Sequence, residues 1–381
     1  MKLNIKPNIK RFLFTLIFLI LFSSTFKAFS NEEINHNEFN EETPNQIEQS
    51  GFWNLTGSPI IIDDSDPDYN WSKTAAQNDW CSGSGTWIAP YIIENVTIYA
   101  QDSGSCIYIQ NSNDYFIIQN CSLFNASNIH NAGITLKNVT NGKIISNHCY
   151  DTENGILLED SDNNTILENS ASNNRVGIYL DESENNTISE NIVSYKNSYG
   201  IFLYESDNNM VSGNTASYNA YNGIYLYECN NNNTISENTA SYNIYFGIYL
   251  RYSSDNNTIS GNTVNNNGAY GIFLPDSSYN SIFLNYFSNN EQNALDDGNN
   301  NTWDNGSIGN FWDDYTGVDA NNDGIGDTPY LIPGSAGSQD NFPIWKSQPS
   351  IPFGNYFLLF TIIAIVSLTI IEKQKKTCHL R

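Results

Sequence analysis

Short apolar pairs separated by one residue recur along the middle of the chain. The string Gly-Ile-x-Leu begins at Gly133, Gly155, Gly177, Gly200, Gly223, Gly247 and Gly271, in steps of 22, 22, 23, 23, 24 and 24 residues. A second apolar series runs in phase: Ile166, Ile188, Val211, Ile235, Ile259 and Ile282 each lie three residues before an Asn, at Asn169, Asn191, Asn214, Asn238, Asn262 and Asn285, with Asn120 and Asn147 extending the Asn series upstream. A fixed period of this size indicates a repeat architecture in which each unit buries its apolar side against its neighbours. No unit has helical periodicity, whereas "TIS" and "GIYL" are short, rich in Ile and Tyr, and bounded by Asn, Ser, Asp and Gly, the marks of strands and turns. Alternation then points Ile and Leu to one face and Tyr to the other. Ile134, Ile156, Ile178, Ile201, Ile224, Ile248 and Ile272 are expected to form one buried column, and Leu136, Leu158, Leu180, Leu203, Leu226, Leu250 and Leu274 a second. Coils of this length with about three short strands, stacked roughly 4.8 Å apart, predict an all-β, single-stranded parallel β-helix. An Asn at each bend would satisfy the turn backbone and its counterparts above and below.

The two ends read differently. Residues 1–30 carry basic residues up to Arg11, an apolar stretch from Phe12 to Phe22, and Ala28 and Ser30 before a cleavage site, the pattern of a signal peptide. Residues 31–50 are acidic, polar and aperiodic, and are expected to be a disordered linker. Near the other end, 353–371 is apolar enough to span a bilayer as a helix after a short linker at 346–352, and the Lys-rich tail at 372–381 is predicted to be cytoplasmic. Between these ends lie an N-terminal cap (51–100), the β-helix repeats (101–295) and a C-terminal cap (296–345). The expectation is a single-pass protein whose bulk is displayed on the cell surface.

Charge narrows the partners. Residues 31–352 hold 40 acidic and 7 basic side chains, a net charge of −33, which removes the basic patch that nucleic acid requires. Twelve Asn-x-Ser/Thr sequons, among them Asn54, Asn70, Asn95, Asn138, Asn163, Asn185, Asn232, Asn256, Asn300 and Asn305, fit a glycosylated surface protein. An Asn-rich repeat also generates sequons by chance. Five cysteines precede the apolar span, an odd number. Cys81 and Cys106, about one coil apart, are the candidates for a disulfide, and Cys121, Cys149 and Cys229 read as small core or turn residues.

The Gly-Ile-x-Leu and Asn-x-Thr-Ile-Ser-x-Asn coils, the stretch "GTWIAPYIIENVTI" (85–98) and the closing "GNFWDDYTGVDANNDGIGDTPYLIP" (309–333) together resemble the NosD-like β-helix proteins over residues 80–345. The resemblance implies a right-handed β-helix, a repeat class associated with carbohydrate-binding proteins and sugar hydrolases, and an archaeal cell-surface setting. It also implies copper handling linked to nitrous oxide reductase maturation. Copper wants clustered His, Met or Cys, and before the apolar span the only His are His36, His130 and His148 and the only Met after the initiator is Met210.

Three surface features could carry chemistry. In "DANNDGIGD", Asp319, Asn321, Asp323, Ile325 and Asp327 are spaced around Gly324 as in a calcium loop, although Tyr330 stands where an EF-hand has its bidentate Glu. A polar turn without metal is the alternative. An outward aromatic column, Tyr179, Phe202, Tyr225, Tyr249 and Phe273, is a candidate for binding sugars, with Tyr195, Tyr218 and Tyr242 at an equivalent turn. The same rings can equally stabilise neighbouring coils. Finally, Asp160, Glu182, Glu205, Glu228 and Asp276 each follow a repeat Gly by five residues. A glycosidase needs one carboxylate pair, whereas this series recurs in nearly every coil and reads as a solvated ridge. The expectation is a non-enzymatic protein that binds glycans or neighbouring surface proteins; a polysaccharide hydrolase or lyase is the alternative, and copper handling the third.

Overall fold

The computed structural model describes residues 53–345, apart from Ile129 and Lys196. The predicted signal peptide, acidic linker, membrane span and tail lie outside the described residues. Among the described residues no helix is long and apolar enough to cross a membrane.

The chain winds through three parallel sheets. One coil runs Val176–Asp181, Thr187–Ser189 and Ile192–Val193 before returning to the first sheet at Tyr199–Tyr204. The first sheet has ten strands, from Ile60–Asp63 to Gln292–Asp296. The second also has ten, parallel except where Cys81–Ser82 joins Tyr91–Glu94 antiparallel. The third has eleven, from Trp53–Asn54 to Phe311–Trp312. This is the parallel β-helix that the repeat predicts.

Both predicted columns form. Ile156, Ile178, Ile201, Ile224 and Ile248 are in register on successive strands, as are Leu158, Leu180, Leu203, Leu226 and Leu250, and all are fully buried. They meet Ile166, Ile188, Val211, Ile235 and Ile259 of the second sheet and the smaller Ala171, Val193, Ala216, Ala240 and Val264 of the third. The repeat glycine sits where those small residues press closest. A Cβ on Gly155 would lie 2.4 Å from the carbonyl oxygen of Gly177 and 2.9 Å from the Ala171 Cβ, so no side chain fits.

Corners explain the remaining composition. Residues in the left-handed region mark four bends per coil, for example Glu182, Asn185, Glu190 and Tyr195 with φ of 47°, 57°, 57° and 65°. Asn is the residue that tolerates this region best after Gly. At three of these bends the next one or two residues include a buried Asn that bonds to the coils on either side. The series from Asn147 to Asn310 is the one visible in sequence; Asn164, Asn186, Asn209, Asn233, Asn257 and Asn280 form a second, and Asn174, Asn197, Asn219, Asn243 and Asn267 a third. Asn120 is not part of the first series. It is itself a left-handed corner (φ 54°), and Cys121 takes the series position, donating its backbone N–H to Asn147 Oδ1 at 3.0 Å.

The caps close the two ends. Helix α1 (Trp71–Gln77), with Asn70 accepting from Lys73 N, seats fully buried Trp71 against Tyr91 and Phe116. At the other end Trp303 and Trp312 are buried beside two buried carboxylates, Asp296 and Asp340. The disulfide expected between Cys81 and Cys106 does not form: both are free buried thiols, and Cys106 Sγ rests against the carbonyls of Ile98 and Phe124.

Candidate functional site

The outward residues of the first sheet carry a continuous field of aromatic rings. Tyr179, Phe202, Tyr225, Tyr249 and Phe273 stack in order, with centroids 5.0, 4.8, 4.7 and 5.2 Å apart and planes within 12°. The alternation places them outside the coil as expected, but it does not leave them open. Tyr225 and Tyr249 are only 7% and 8% exposed, because each ring covers the faces of its neighbours. The column thus contributes to stability between coils and offers edges, rather than faces, to a ligand.

Its flanks are what solvent reaches. On one side Tyr199 touches Phe202 and Tyr225, Tyr221 stacks on Tyr245, and Phe246 and Tyr270 pack on Phe273. On the other, Tyr204, Tyr227 and Tyr252 follow one another, and the Arg251 guanidinium lies 4.4 Å over the Tyr252 ring. Tyr221, Tyr245 and Tyr252 are each more than 40% exposed. These flanking rings escaped the sequence reading, although a signal was present: most of them stand one or two residues before the repeat Gly, or one after the repeat Leu.

Tyr195, Tyr218 and Tyr242 form a separate exposed stack, with centroids 5.4 and 4.9 Å apart. All three are left-handed corners, at positions where Asn173 and Asn266 stand in the neighbouring coils.

Charge borders this face on one side. Asp160, Glu182, Glu205 and Glu228 line the corner after the first sheet, all with positive φ, and Asp276 ends the series by accepting from Tyr252 N at 2.8 Å. The series forms a ridge and converges on no single point. The Tyr204 hydroxyl donates to Glu205, which with partial desolvation pushes its pKa up to about 12. Desolvation, then the negative charges of Glu159 and Glu182, raise Asp181 above the usual carboxylate range.

The sequon asparagines separate from the structural ones. Asn163, Asn185, Asn232 and Asn256 are exposed left-handed corners, whereas the following Asn164, Asn186, Asn233 and Asn257 are the buried bonded ones. Asn138, Asn300, Asn305 and Asn54 are also exposed, and Asn70 and Asn95 are half-buried.

In the "DANNDGIGD" loop, Asp319 accepts from Asp323 N and Gly324 N, Asn321 and Asp323 bond to each other, and Asp327 accepts from Ala320 N. Ile325 N donates to Asp323. The side chains point at the loop's own amides, and among the described residues no three His, Cys, Asp or Glu side chains converge as a metal-ligand group.

Residues 118–317 match the family described as periplasmic copper-binding protein (NosD). No curated protein matches the chain. Among solved structures, a double mutant of the periplasmic alginate epimerase AlgG is 18% identical with a TM-score of 0.43, covering 62% of this chain and 71% of that one. The A-module of an Azotobacter vinelandii mannuronan C-5 epimerase is 12% identical, TM-score 0.39, covering 65% and 90%. The enzymatically active domain of tailspike protein 2 of bacteriophage CBA120 is 15% identical, TM-score 0.48, covering 65% and 43%.

Proposed function

The chain belongs to the NosD family, and from that premise we propose that it is a cell-surface protein that binds an extended glycan along the outer face of its first sheet without transforming it. The observation that carries this reading is the field of rings in mutual contact from Tyr179 to Phe273, edged by the exposed Tyr221, Tyr245 and Tyr252. Tyr offers apolar area together with a hydroxyl, the pairing that a sugar needs. The rings repeat once per coil, so a linear polymer lying along the axis would meet the same groups at each step. The part assigned to the glycan differs from the sequence expectation: Tyr225 and Tyr249 hold the platform together, and the exposed flanks make the contact.

Copper, named in the family's description, finds no matching ligand set in the described residues. Burial holds the Cys121 and Cys149 thiols protonated, and a protonated thiol is a poor ligand. His148 is half-buried against Tyr150, and His130 and Met210 lie exposed elsewhere.

Calcium at Asp319, Asn321, Asp323, Ile325 and Asp327 is a separate proposal, resting on the donor set. A carboxylate oxygen that accepts one amide N–H keeps a lone pair, and three Asp within nine residues favour a cation.

The glycan reading is tested by calorimetric titration of the purified protein with linear polysaccharides, with released reducing ends followed in parallel. Wild type should bind at least one polymer without cleaving it, and the Tyr221→Ala/Tyr245→Ala variant should lose at least tenfold in affinity. Unchanged affinity in that variant removes the face from the reading, and polymer cleavage replaces binding with catalysis.

A further inference from the structure

We propose that the aromatic face selects its glycan by charge, accepting uncharged or amino-bearing polysaccharides and rejecting polyuronates; this rests on the glycan reading above. The rows that reach solvent at one edge of the face run directly into carboxylates, because Glu205 follows Tyr204 and Glu228 follows Tyr227 in the chain. Glu182 extends that edge by one coil and Asp276 ends it beside Tyr252. Asp181 adds a carboxylate on the face itself, stacked in register with Tyr204.

Little positive charge answers them. Lys137 and Arg175 are paired with Glu159 and Glu153. Arg251 lies on the face, but it is held over the Tyr252 ring and by the hydroxyls of Tyr225 and Tyr249. Burial, and after it the neighbouring carboxylates Glu159 and Glu182, raise the pKa of Asp181.

A polyuronate carries a carboxylate on every sugar, so laid along the axis it would set like charges beside the ridge coil after coil. Screening does not remove this repulsion within a Debye length, about 8 Å at physiological salt. A neutral polymer escapes it. An amino-sugar polymer gains from the ridge and from cation–π contact with the exposed rings.

The test titrates the full purified chain, in chelator, with a soluble β-glucan, chitosan oligosaccharide and polygalacturonate at 50 and 500 mM salt. Chitosan should bind at least tenfold tighter than β-glucan at low salt and lose that advantage at high salt, and polygalacturonate should bind at least tenfold more weakly than β-glucan at low salt. The folded variant Glu182→Gln/Glu205→Gln/Glu228→Gln should cut the chitosan preference at least threefold and leave β-glucan affinity unchanged. Polygalacturonate binding within threefold of β-glucan, or an unaltered chitosan preference in the variant, overturns charge selection while the glycan reading stands. Failure of all three polymers to bind overturns the glycan reading itself, and this inference with it.

Discussion

Asn214 Oδ1 accepts from both the backbone N–H and the side-chain Nδ2 of Asn191 one coil earlier, each at 2.9 Å. Asn214 in turn donates Nδ2 to Ile188 O and to Asn238 Oδ1. Asn214→Ala would leave several of these groups buried and unpaired, each at a cost of about 1–3 kcal/mol. The expected loss is about 3 kcal/mol or more in urea titration, against less than about 0.5 kcal/mol for the exposed Glu205→Gln. Similar losses in the two variants would mean that the Asn series carries no stability.

Ile224 and Tyr225 are chain neighbours on opposite faces of one strand, at 0% and 7% exposure. Ile224→Asp places an unpaired charge in the Ile column and should prevent folding. Tyr225→Ser removes a ring that touches Tyr199, Phe202 and Tyr249, and should cost about 2–4 kcal/mol, as deletion of a buried aromatic does. A near-neutral Tyr225→Ser in urea titration would mean that the outer column adds nothing between coils.

The strand columns were legible in the sequence because a period of two within each strand and of 22 to 24 between strands both write themselves into residue order. Two of the three Asn series were not, since corner Asn and bonded Asn stand side by side, as Asn163 and Asn164 do, and only the φ of the first tells them apart. The same ambiguity misplaced Asn120. The flanking rings, although most stand beside the repeat Gly or Leu, were missed because contacts such as Tyr199 with Tyr225 run between strands of successive coils, and residue order does not show which side chains meet there. Asp296 and Asp340 look like ordinary surface carboxylates until Trp303 and Trp312 are brought against them.

At the closing loop, calcium in the millimolar range, typical of extracellular modules, should raise the melting temperature of the purified protein by a few degrees, and chelator should reverse the rise. Asp319→Ala/Asp323→Ala removes two of the carboxylates and should melt at the same temperature with and without calcium. Absence of a calorimetric signal on titrating wild type with calcium would leave the loop as a polar turn closed by the hydrogen bonds of Asp319, Asn321, Asp323 and Asp327.

The cap should respond to pH through Asp340. Its carboxylate is fully buried, accepts from Trp312 Nε1 and Asn310 N, and lies so close to Gly309 that a Cβ there would fall 1.8 Å from Oδ1. Burial raises its pKa from 3.8 to about 6, with the hydrogen bonds opposing the shift. A raised carboxylate pKa means that the folded state binds more protons than the unfolded one between those two values. The stability it contributes is therefore fully present below pH 3.8 and is lost as pH rises through about 6. At about 1.4 kcal/mol per pH unit the span is about 3 kcal/mol. Asp340→Asn should lower stability at every pH, since its amide would face N–H donors, and should flatten this part of the slope in urea titrations. Trp312→Phe removes a donor to the charged form and should move the midpoint upward. Identical pH profiles for wild type and both variants would exclude Asp340 as the group that titrates.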